Sequence, residues 1–234
     1  MEWSWVSAGP DSGKARHSGQ ARMDLVLREA RATDAPHLAD ICLLADQGTF
    51  EFLLGGLGRA MTVRDVLIAL AGTENTVYSY RRFTLAESNG VVVGGFNAIP
   101  AAELSQLDDN VVGALQKVVG LGVGDMLRWF FRRLRLAVRS KTMKVPENCL
   151  LIANLAVFPR YQGRGVGGTL LRRAAGVAAD TGYRSLCLFV WEDRAEAMGF
   201  YERMGFRTRS TVRFRPHKLL PYHGRCLMEL VRRA

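Results

Sequence analysis

A glycine-rich segment at residues 162–169 is the part of the chain most clearly suited to chemistry. The segment, Gln-Gly-Arg-Gly-Val-Gly-Gly-Thr, lies between an apolar run of strand length at residues 150–158 and a helical pattern. Glycines at a strand-to-helix turn let backbone N–H groups approach an anion, and the helix N-terminus adds unsatisfied donors and a partial positive charge. The segment is therefore predicted to bind phosphate groups.

Two other kinds of phosphate site fit these glycines less well. An NTPase loop needs a lysine directly before its Ser or Thr, whereas Gly168 precedes Thr169. A dinucleotide site is harder to dismiss, because Gly163, Gly165 and Gly168 match G-x-G-x-x-G. Residues 159–162 separate the strand from the glycines, however, and too little chain follows to complete a doubly wound sheet. The NTPase interpretation fails and the dinucleotide interpretation is weakened.

The elements beside the glycines can be placed from their residue patterns. Pro159 ends the apolar strand, and Gly182 closes the helix that follows the glycines. A second buried strand at 185–191 leads into a helix that Asp193 and Glu196 are predicted to cap. The rest of this third of the chain predicts a closing pair of strands, at 207–214 and 224–231.

The first hundred residues predict an alternation of strands and helices. They indicate, in order, a strand near Leu25 and Leu27, a helix with a core face of Leu38, Ile41, Cys42 and Ala45, a helix at 62–71 and two strands at 76–87 and 91–99. Asn89-Gly90 between the last two strands predicts a hairpin. From 104 to 144 the apolar residues recur at helical spacing, which predicts a helical insertion.

Within this insertion, the stretch 126–139 carries a regular series of arginines. Arg128, Arg132, Arg135 and Arg139 recur at spacings of four, three and four, which places them on one stripe of a helix. Such a stripe could contact an acidic membrane surface or an anionic ligand, or form the solvated outer face of a packed helix. The sequence leaves these interpretations open.

Two motifs resemble those of the GNAT N-acetyltransferase superfamily. Residues 155–167, Leu-Ala-Val-Phe-Pro-Arg-Tyr-Gln-Gly-Arg-Gly-Val-Gly, are similar to that family's cofactor segment, and Gln162, Gly165 and Gly167 meet its Q/R-x-x-G-x-G/A signature. Residues 200–206, Phe-Tyr-Glu-Arg-Met-Gly-Phe, resemble its second motif. The resemblance implies an α/β (α+β) fold with a bent, mixed, mostly antiparallel sheet, splayed at its central strand and flanked by helices. We expect a single domain at 23–234.

The resemblance also implies acetyl-CoA as cosubstrate and assigns its binding residues. The pantetheine arm would pair with the apolar strand, and the pyrophosphate would rest on amides of the glycine segment. The cofactor-binding residues implied are Leu155, Ala156, Val157, Gln162, Gly163, Arg164, Gly165, Val166, Gly167, Gly168 and Thr169.

The chemistry implied by the family is direct attack of a primary amine on the thioester. The leaving thiolate then needs a proton, and Tyr201 occupies the motif position that commonly supplies it. Arg194 stands where family members often have Asn, and no general base stands out. A non-catalytic acyl-CoA sensor or interaction module of the same fold therefore stays open. The candidate bases are Glu51, Glu103, Glu147, His217 and His223, with Asn154 as a residue that could orient a water or satisfy the core.

Length and composition limit the remaining possibilities. The chain has 234 residues, 48% of them hydrophobic, and a formal net charge of +10, which favours an anionic partner. No apolar run is long enough for a membrane span, so we expect a cytoplasmic protein with a disordered leader at 1–22. Four widely spaced cysteines predict buried free thiols and no metal. Besides acetyl-CoA and an unidentified amine acceptor, we expect no nucleic acid, and we leave open a homodimer and a weak membrane contact through 126–139.

Overall fold

The computed structural model describes residues 23–46, 48–57, 61–140, 143–216, 218, 220 and 222–232, with the backbone alone for 136–140. The predicted leader at 1–22 and the candidate base His217 lie outside the described residues. Within the described part of the chain, no helix combines the length and the apolar character that crossing a membrane requires.

The described chain alternates helices and strands around one sheet. The strands are β1 Val26–Glu29, β2 Phe83–Ser88, β3 Val91–Pro100, β4 Cys149–Val157, β5 Ser185–Trp191, β6 Arg207–Arg213 and β7 Gly224–Val231. The helices are α1 Ala35–Ala45, α2 Thr49–Leu54, α3 Val63–Ala71, α4 Leu104–Val119, α5 Val123–Ser140, α6 Val166–Asp180 and α7 Ala195–Arg203.

The seven strands form a mixed sheet in the order β1-β2-β3-β4-β5-β7-β6. All neighbours are antiparallel except β4 and β5, which run parallel and are joined by the crossover through α6. This confirms the expected mixed, mostly antiparallel sheet with flanking helices. The hairpin at Asn89-Gly90 is also present, with both residues at positive φ.

The helices cover both faces of the sheet and build a separate core on each. On one face, α1, α3 and α4 pack around Ile41, Leu70 and Leu115. On the other face, α6 buries Leu170 and Leu171 against alternate side chains of β4 and β5. Each core follows the apolar spacing of its helix, since only one stripe of a helix can face the sheet.

Several sequence-based boundaries differ from the structure. The strand predicted to start at residue 76 begins only at Phe83, because residues 76–79 form turns and Tyr80–Arg82 forms a short 3₁₀ helix. Helix α2 was not predicted, since its six residues are too few to show a period. The predicted Asp193–Glu196 cap is wrong: Asp193 instead accepts hydrogen bonds from the backbone N–H and the ring Nδ1 of His223.

The parallel pair β4 and β5 separates after a short pairing. Cys149 to Ile152 pair with Ser185 to Leu188, and beyond these positions the two strands are no longer paired. On its other side β4 pairs with β3 from Leu150 to Val157, with one irregularity: Asn97 faces Asn154 whereas Ala98 faces Ile152. Ala153 is therefore an extra residue, which is a β-bulge, and bulges bend and twist a strand. The gap expected at the central strand begins at this bulge.

A buried side chain holds the bulge in place. The amide oxygen of Asn97 accepts hydrogen bonds from the backbone N–H of Asn154 at 2.7 Å and from its side-chain Nδ2 at 3.1 Å. The Asn97 amide nitrogen donates to the carbonyl of Val77 at 2.9 Å. Both asparagines are buried. Asn154 is thus part of the core, where its side chain satisfies a neighbour.

We expect Asn97→Ala to destabilise the fold by about 2–4 kcal/mol, since it leaves the Asn154 N–H and the Val77 carbonyl buried without a partner. Urea unfolding followed by circular dichroism measures this. Asn110→Ala is the matched control, because Asn110 makes one amide-to-carbonyl hydrogen bond, to Asn75, at the exposed surface. A loss for Asn97→Ala no larger than for Asn110→Ala would contradict the role given to Asn97.

Candidate active site

A cleft of about 1360 Å³ occupies the gap between β4 and β5. The diverging ends of the two strands form its walls, and the glycine segment, α7 and the C-terminal end of α1 surround it. A parallel pair that opens at its carboxyl ends exposes backbone donors and acceptors that would otherwise be paired. The cleft is therefore suited to a ligand that can bond to a strand edge.

The edge of β4 that faces the cleft belongs to Leu155 and Val157. The N–H groups of Asn154 and Phe158 point towards β3, where they donate to Asn97 Oδ1 and to the Val93 carbonyl. Because N–H groups alternate in direction along a strand, those of Leu155 and Val157 point into the gap. Both residues line the cleft. The strand thus offers hydrogen bonds to an extended, amide-bearing ligand.

The glycine segment turns the chain from β4 into α6. Gly163 and Gly165 have φ values of 74° and 81°, a left-handed conformation that disfavours residues with a Cβ. Gly165 is the N-cap of α6, and the first helical hydrogen bond of this turn runs from Thr169 N–H to the Gly165 carbonyl at 3.1 Å. The N–H groups of Val166, Gly167 and Gly168 precede that bond and are the orphan donors of the helix. These unpaired donors make that end of the cleft suited to binding an anion.

Other contacts keep the turn against β4 and α7. Gln162 Nε2 donates to the Val157 carbonyl at 2.9 Å. A Cβ on Gly167 would lie 3.1 Å from Phe200 Cζ, so the absence of a side chain at Gly167 lets the α7 aromatic ring approach α6. The two sequence motifs therefore meet in the structure at this contact.

Most of the predicted cofactor residues line the cleft, although in different ways. Val166 has a buried side chain in the core, so it can offer only its backbone. Arg164 and Thr169 do not line the cleft, and the Thr169 hydroxyl accepts a hydrogen bond from Arg172 at 3.1 Å. The lining residues of the predicted set are Leu155, Ala156, Val157, Gln162, Gly163, Gly165, Val166, Gly167 and Gly168.

Tyr201 lies on α7 at the cleft wall. Its ring is packed between Phe200 and Phe206, with ring centroids 5.3 Å and 5.8 Å away. Burial raises the pKa of the Tyr201 hydroxyl to about 12, and the positive charge of Arg194 opposes this rise. Within the described part of the chain, no group hydrogen-bonds the hydroxyl. Tyr201 is thus a protonated donor at neutral pH.

A second group of cleft residues was not found from the sequence. Asp46, at the C-terminal end of α1, accepts hydrogen bonds from Trp191 Nε1 at 2.8 Å and Thr49 Oγ1 at 2.8 Å. The Trp191 ring stacks on Tyr222 at 4.6 Å, and the Arg225 guanidinium lies 5.3 Å from the Trp191 ring centroid. These residues come from distant parts of the chain, so only the folded sheet reveals the cluster.

None of the described candidate bases lines the cleft, although His223 is next to Tyr222 and bonded to Asp193, which do. Glu51 accepts a hydrogen bond from the Gly48 backbone N–H within the α2 turn, and Glu103 pairs with Arg82. His223 is held by Asp193 at 2.8 Å, and Glu147 is exposed.

Among the described residues, no group of three or more His, Cys, Asp or Glu side chains could hold a metal ion. All four cysteines are buried and free, as predicted.

Comparisons with known proteins identify relatives of this architecture. The family model described as "Acetyltransferase (GNAT) family" matches residues 70–206, more than half of the chain. A search of the curated proteins finds no match.

Solved structures share the fold at low sequence identity. One described as an acetyltransferase has a TM-score of 0.66 and 22% identity, covering 89% of this chain and 100% of its own. An N-acetyltransferase from Staphylococcus aureus Mu50 has a TM-score of 0.62 and 16% identity, with coverages of 87% and 99%. The yncA protein of Salmonella typhimurium, solved with its cofactor acetyl-CoA, has a TM-score of 0.52 and 15% identity, with coverages of 89% and 94%.

We expect Gly165→Ala to destabilise the protein by about 1–2 kcal/mol and to weaken CoA binding, because an Ala at this φ distorts the anion-binding turn. Calorimetric titration with CoA and thermal unfolding measure the two effects. Gly176→Ala, within the same helix and with open space around its Cβ position, is the control. It should keep CoA affinity and gain about 0.4–1 kcal/mol. Equal CoA affinities for the two variants would contradict the role of the turn.

Proposed function

Because the chain belongs to the GNAT acetyltransferase family, we propose that it transfers the acetyl group of acetyl-CoA directly to a primary amine within a ternary complex. The observation that carries this proposal is the gap between β4 and β5. Its wall offers the unpaired N–H groups of Leu155 and Val157, and the orphan donors of α6 lie at its end. One ligand that bears both amides and phosphates could bind to both sets of backbone donors.

In this proposal the two parts of CoA bind to the two kinds of backbone donor. The pantetheine amides add to the free edge of β4, as a further strand would. The pyrophosphate binds at Val166, Gly167 and Gly168, where backbone N–H groups and the helix dipole favour negative charge. Gly167 and Gly168 contribute through their backbone N–H groups, because the Cβ position of Gly167 faces Phe200 and that of Gly168 faces Arg172 and Met204.

The reaction proceeds by nucleophilic attack on the thioester. The amine nitrogen, after losing a proton to solvent, forms a C–N bond to the acetyl carbon, and the carbonyl oxygen becomes an oxyanion. Backbone N–H groups along the open edge of β4 are donors that could stabilise this charge. The attacking nitrogen, which is positively charged in the tetrahedral intermediate, loses a second proton to solvent. When the intermediate collapses, the C–S bond breaks and CoA leaves as a thiolate, which must be protonated.

Tyr201 is the donor proposed for that thiolate. A pKa of about 12 keeps its hydroxyl protonated at neutral pH, so the proton is present whenever the thiolate forms. A free thiol titrates near pH ~8.5, so full transfer from Tyr201 is uphill unless the phenolate is stabilised. The neighbouring charge of Arg194 supplies part of that stabilisation, because it favours the ionised form. Tyr201 therefore donates a hydrogen bond first, and transfer follows as the sulfur gains charge.

We expect Tyr201→Phe to lower kcat by roughly 10²-fold while the Kd for acetyl-CoA changes less than about 2-fold, because only the proton donor is lost. Thiol release with an amine panel measures kcat, and calorimetry measures Kd. Tyr183→Phe is the matched control, since Tyr183 packs against the core that α6 covers and does not line the cleft.

Two results would count against this proposal in different ways. If the wild type bound neither acetyl-CoA nor CoA up to millimolar concentration, the transferase function would be rejected. If acetyl-CoA bound and acetyl transfer occurred but Tyr201→Phe kept full kcat, the function would stand and the assignment of Tyr201 as proton donor would be overturned.

A further inference from the structure

The cleft joins the two faces of the sheet, and the glycine segment lies on only one of them. Leu188 and Val190 of β5 pack with α6 on the face of the glycine segment. Since side chains alternate along a strand, Phe189 and Trp191 point to the opposite face, where Trp191 reaches Asp46 of α1. Arg225, which pairs with Trp191 in the sheet, shares that face. If the cofactor binds on the face of the glycine segment, a second substrate can approach from the face of Trp191 and Arg225.

On this face Asp46 keeps binding capacity for a cation. Its Oδ1 atom accepts the two hydrogen bonds from Trp191 and Thr49. Its Oδ2 atom lies 3.9 Å from an Arg225 nitrogen, which is longer than a hydrogen bond, and the side chain is 19% exposed. A carboxylate that is fixed through one oxygen and open at the other can hold a substrate ammonium group.

Arg225 offers the complementary charge. Its guanidinium is stacked over the Phe189 ring at 4.4 Å from the centroid and lies 5.3 Å from that of Trp191. Among the described residues, none accepts a hydrogen bond from this guanidinium, although the side chain is only 28% exposed. A guanidinium oriented by aromatic rings, with its donors unused, matches the planar geometry of a carboxylate.

We propose that the acceptor is a small zwitterionic amine of the amino-acid type, whose ammonium group binds Asp46 and whose carboxylate binds Arg225. The ammonium group loses a proton to solvent before its nitrogen attacks the thioester. This inference rests on the transferase function proposed above and specifies its second substrate. The stacked rings of Trp191 and Tyr222 form the apolar wall beside the two charges. A polycationic amine would meet the positive charge of Arg225 without a group to neutralise it, so such amines are disfavoured.

The test compares each amino acid with its decarboxylated amine, for example phenylalanine with phenethylamine and lysine with cadaverine. We expect the wild type to have a kcat/KM about 10-fold or more higher for the amino acid of a pair, because its carboxylate binds a partly buried guanidinium. Arg225→Gln should abolish this preference by raising KM for the amino acid alone. Asp46→Asn should lower kcat/KM for both members of a pair.

Controls separate these effects from damage to the fold. Asp40→Asn alters a carboxylate on the same helix that pairs with Arg64 at the surface, and Arg209→Gln alters an arginine that pairs with Glu229 at the edge of the sheet. Both should behave as the wild type. The Kd for acetyl-CoA should stay unchanged in all four variants, since none alters the glycine side of the sheet.

Three outcomes would overturn the zwitterion proposal while the transferase function survives. They are equal or better kcat/KM for the decarboxylated amines, a preference for amino acids that persists in Arg225→Gln, and acetyl-CoA binding with no amino acid acetylated. Loss of acetyl-CoA binding by the wild type itself would instead reject the transferase function.

An independent observation concerns the outer face of α5. Five large apolar side chains on this helix are between 44% and 79% exposed: Val123, Leu127, Phe130, Phe131 and Leu134. Their spacing places them on one stripe, opposite the buried Trp129 that anchors the helix to the core. Exposed apolar patches of this kind mark interaction sites.

The arginines of α5 indicate what covers this stripe. Residues 123–140 contain five arginines and one acid, Asp125, which pairs with Arg128. Arg132 is turned inward, where it donates to the Gly55 carbonyl at 2.6 Å. Arg135 lies exposed beside the apolar stripe, and so does Arg128, which also donates to the Gly56 carbonyl at 3.2 Å. A second copy of the chain would bring these positive charges together. An anionic lipid surface complements both the apolar side chains and the charge.

We infer that the α5 stripe docks on anionic membrane surfaces. Co-sedimentation with phosphatidylglycerol-containing vesicles should show binding that pure phosphatidylcholine vesicles lack, and Leu127→Gln/Phe131→Gln should weaken it about 10-fold or more. Val26→Thr/Val91→Thr, at exposed apolar positions on β1 and β3, is the control and should bind as the wild type. Equal binding of the α5 variant and the control, no vesicle binding by the wild type, or an α5-dependent dimer in solution would overturn the inference.

Discussion

The separation of β4 from β5 depends on how Asn97 binds the bulge at Ala153. β4 and β5 pair only as far as Ile152 and Leu188, directly before the bulge, and beyond it Leu155 and Val157 have no partner on β5. The bulge costs regular ladder hydrogen bonds, and the buried Asn97 amide replaces them by accepting from Asn154 and donating to Val77. Two side chains thus convert a closed sheet into one with an internal binding edge.

The second constraint is the close approach of α7 to α6. Gly167 leaves room for the Phe200 ring, and Phe200 and Phe206 in turn hold the ring of Tyr201. The missing Cβ at Gly167 therefore helps to position the tyrosine, while the backbone N–H of the same residue is one of the unpaired donors at the start of α6. This double demand explains why the two motifs lie more than thirty residues apart in the chain yet belong to one site.

The parts of the fold that sequence could predict are those governed by local rules. The Asn89-Gly90 hairpin, the faces of α1 and α6 and the glycine turn follow from turn preference and helical period, and the family resemblance added the splayed sheet. The bulge was beyond prediction, because it depends on a contact between Asn97 and Asn154 across two strands. The same holds for Asp46, whose partner Trp191 lies 145 residues away. On α5, helical spacing located the stripes but could not say that Arg132 faces inward and Phe131 outward.

The glycine side of the cleft could be predicted from the sequence and the opposite side could not, because the two sides are built from different groups. The side suited to phosphates and amides uses backbone donors, and backbone donors are exposed only by glycines, helix starts and bulges, most of which leave a compact sequence signature. The opposite side uses side chains from the end of α1, from β5 and from β7, each at one position. None of Asp46, Trp191 and Arg225 belongs to the glycine turn or to α7, which build the other side. A single scaffold can in this way hold one cofactor while its acceptor side is altered independently, and the identity of the acceptor must be sought in contacts between elements.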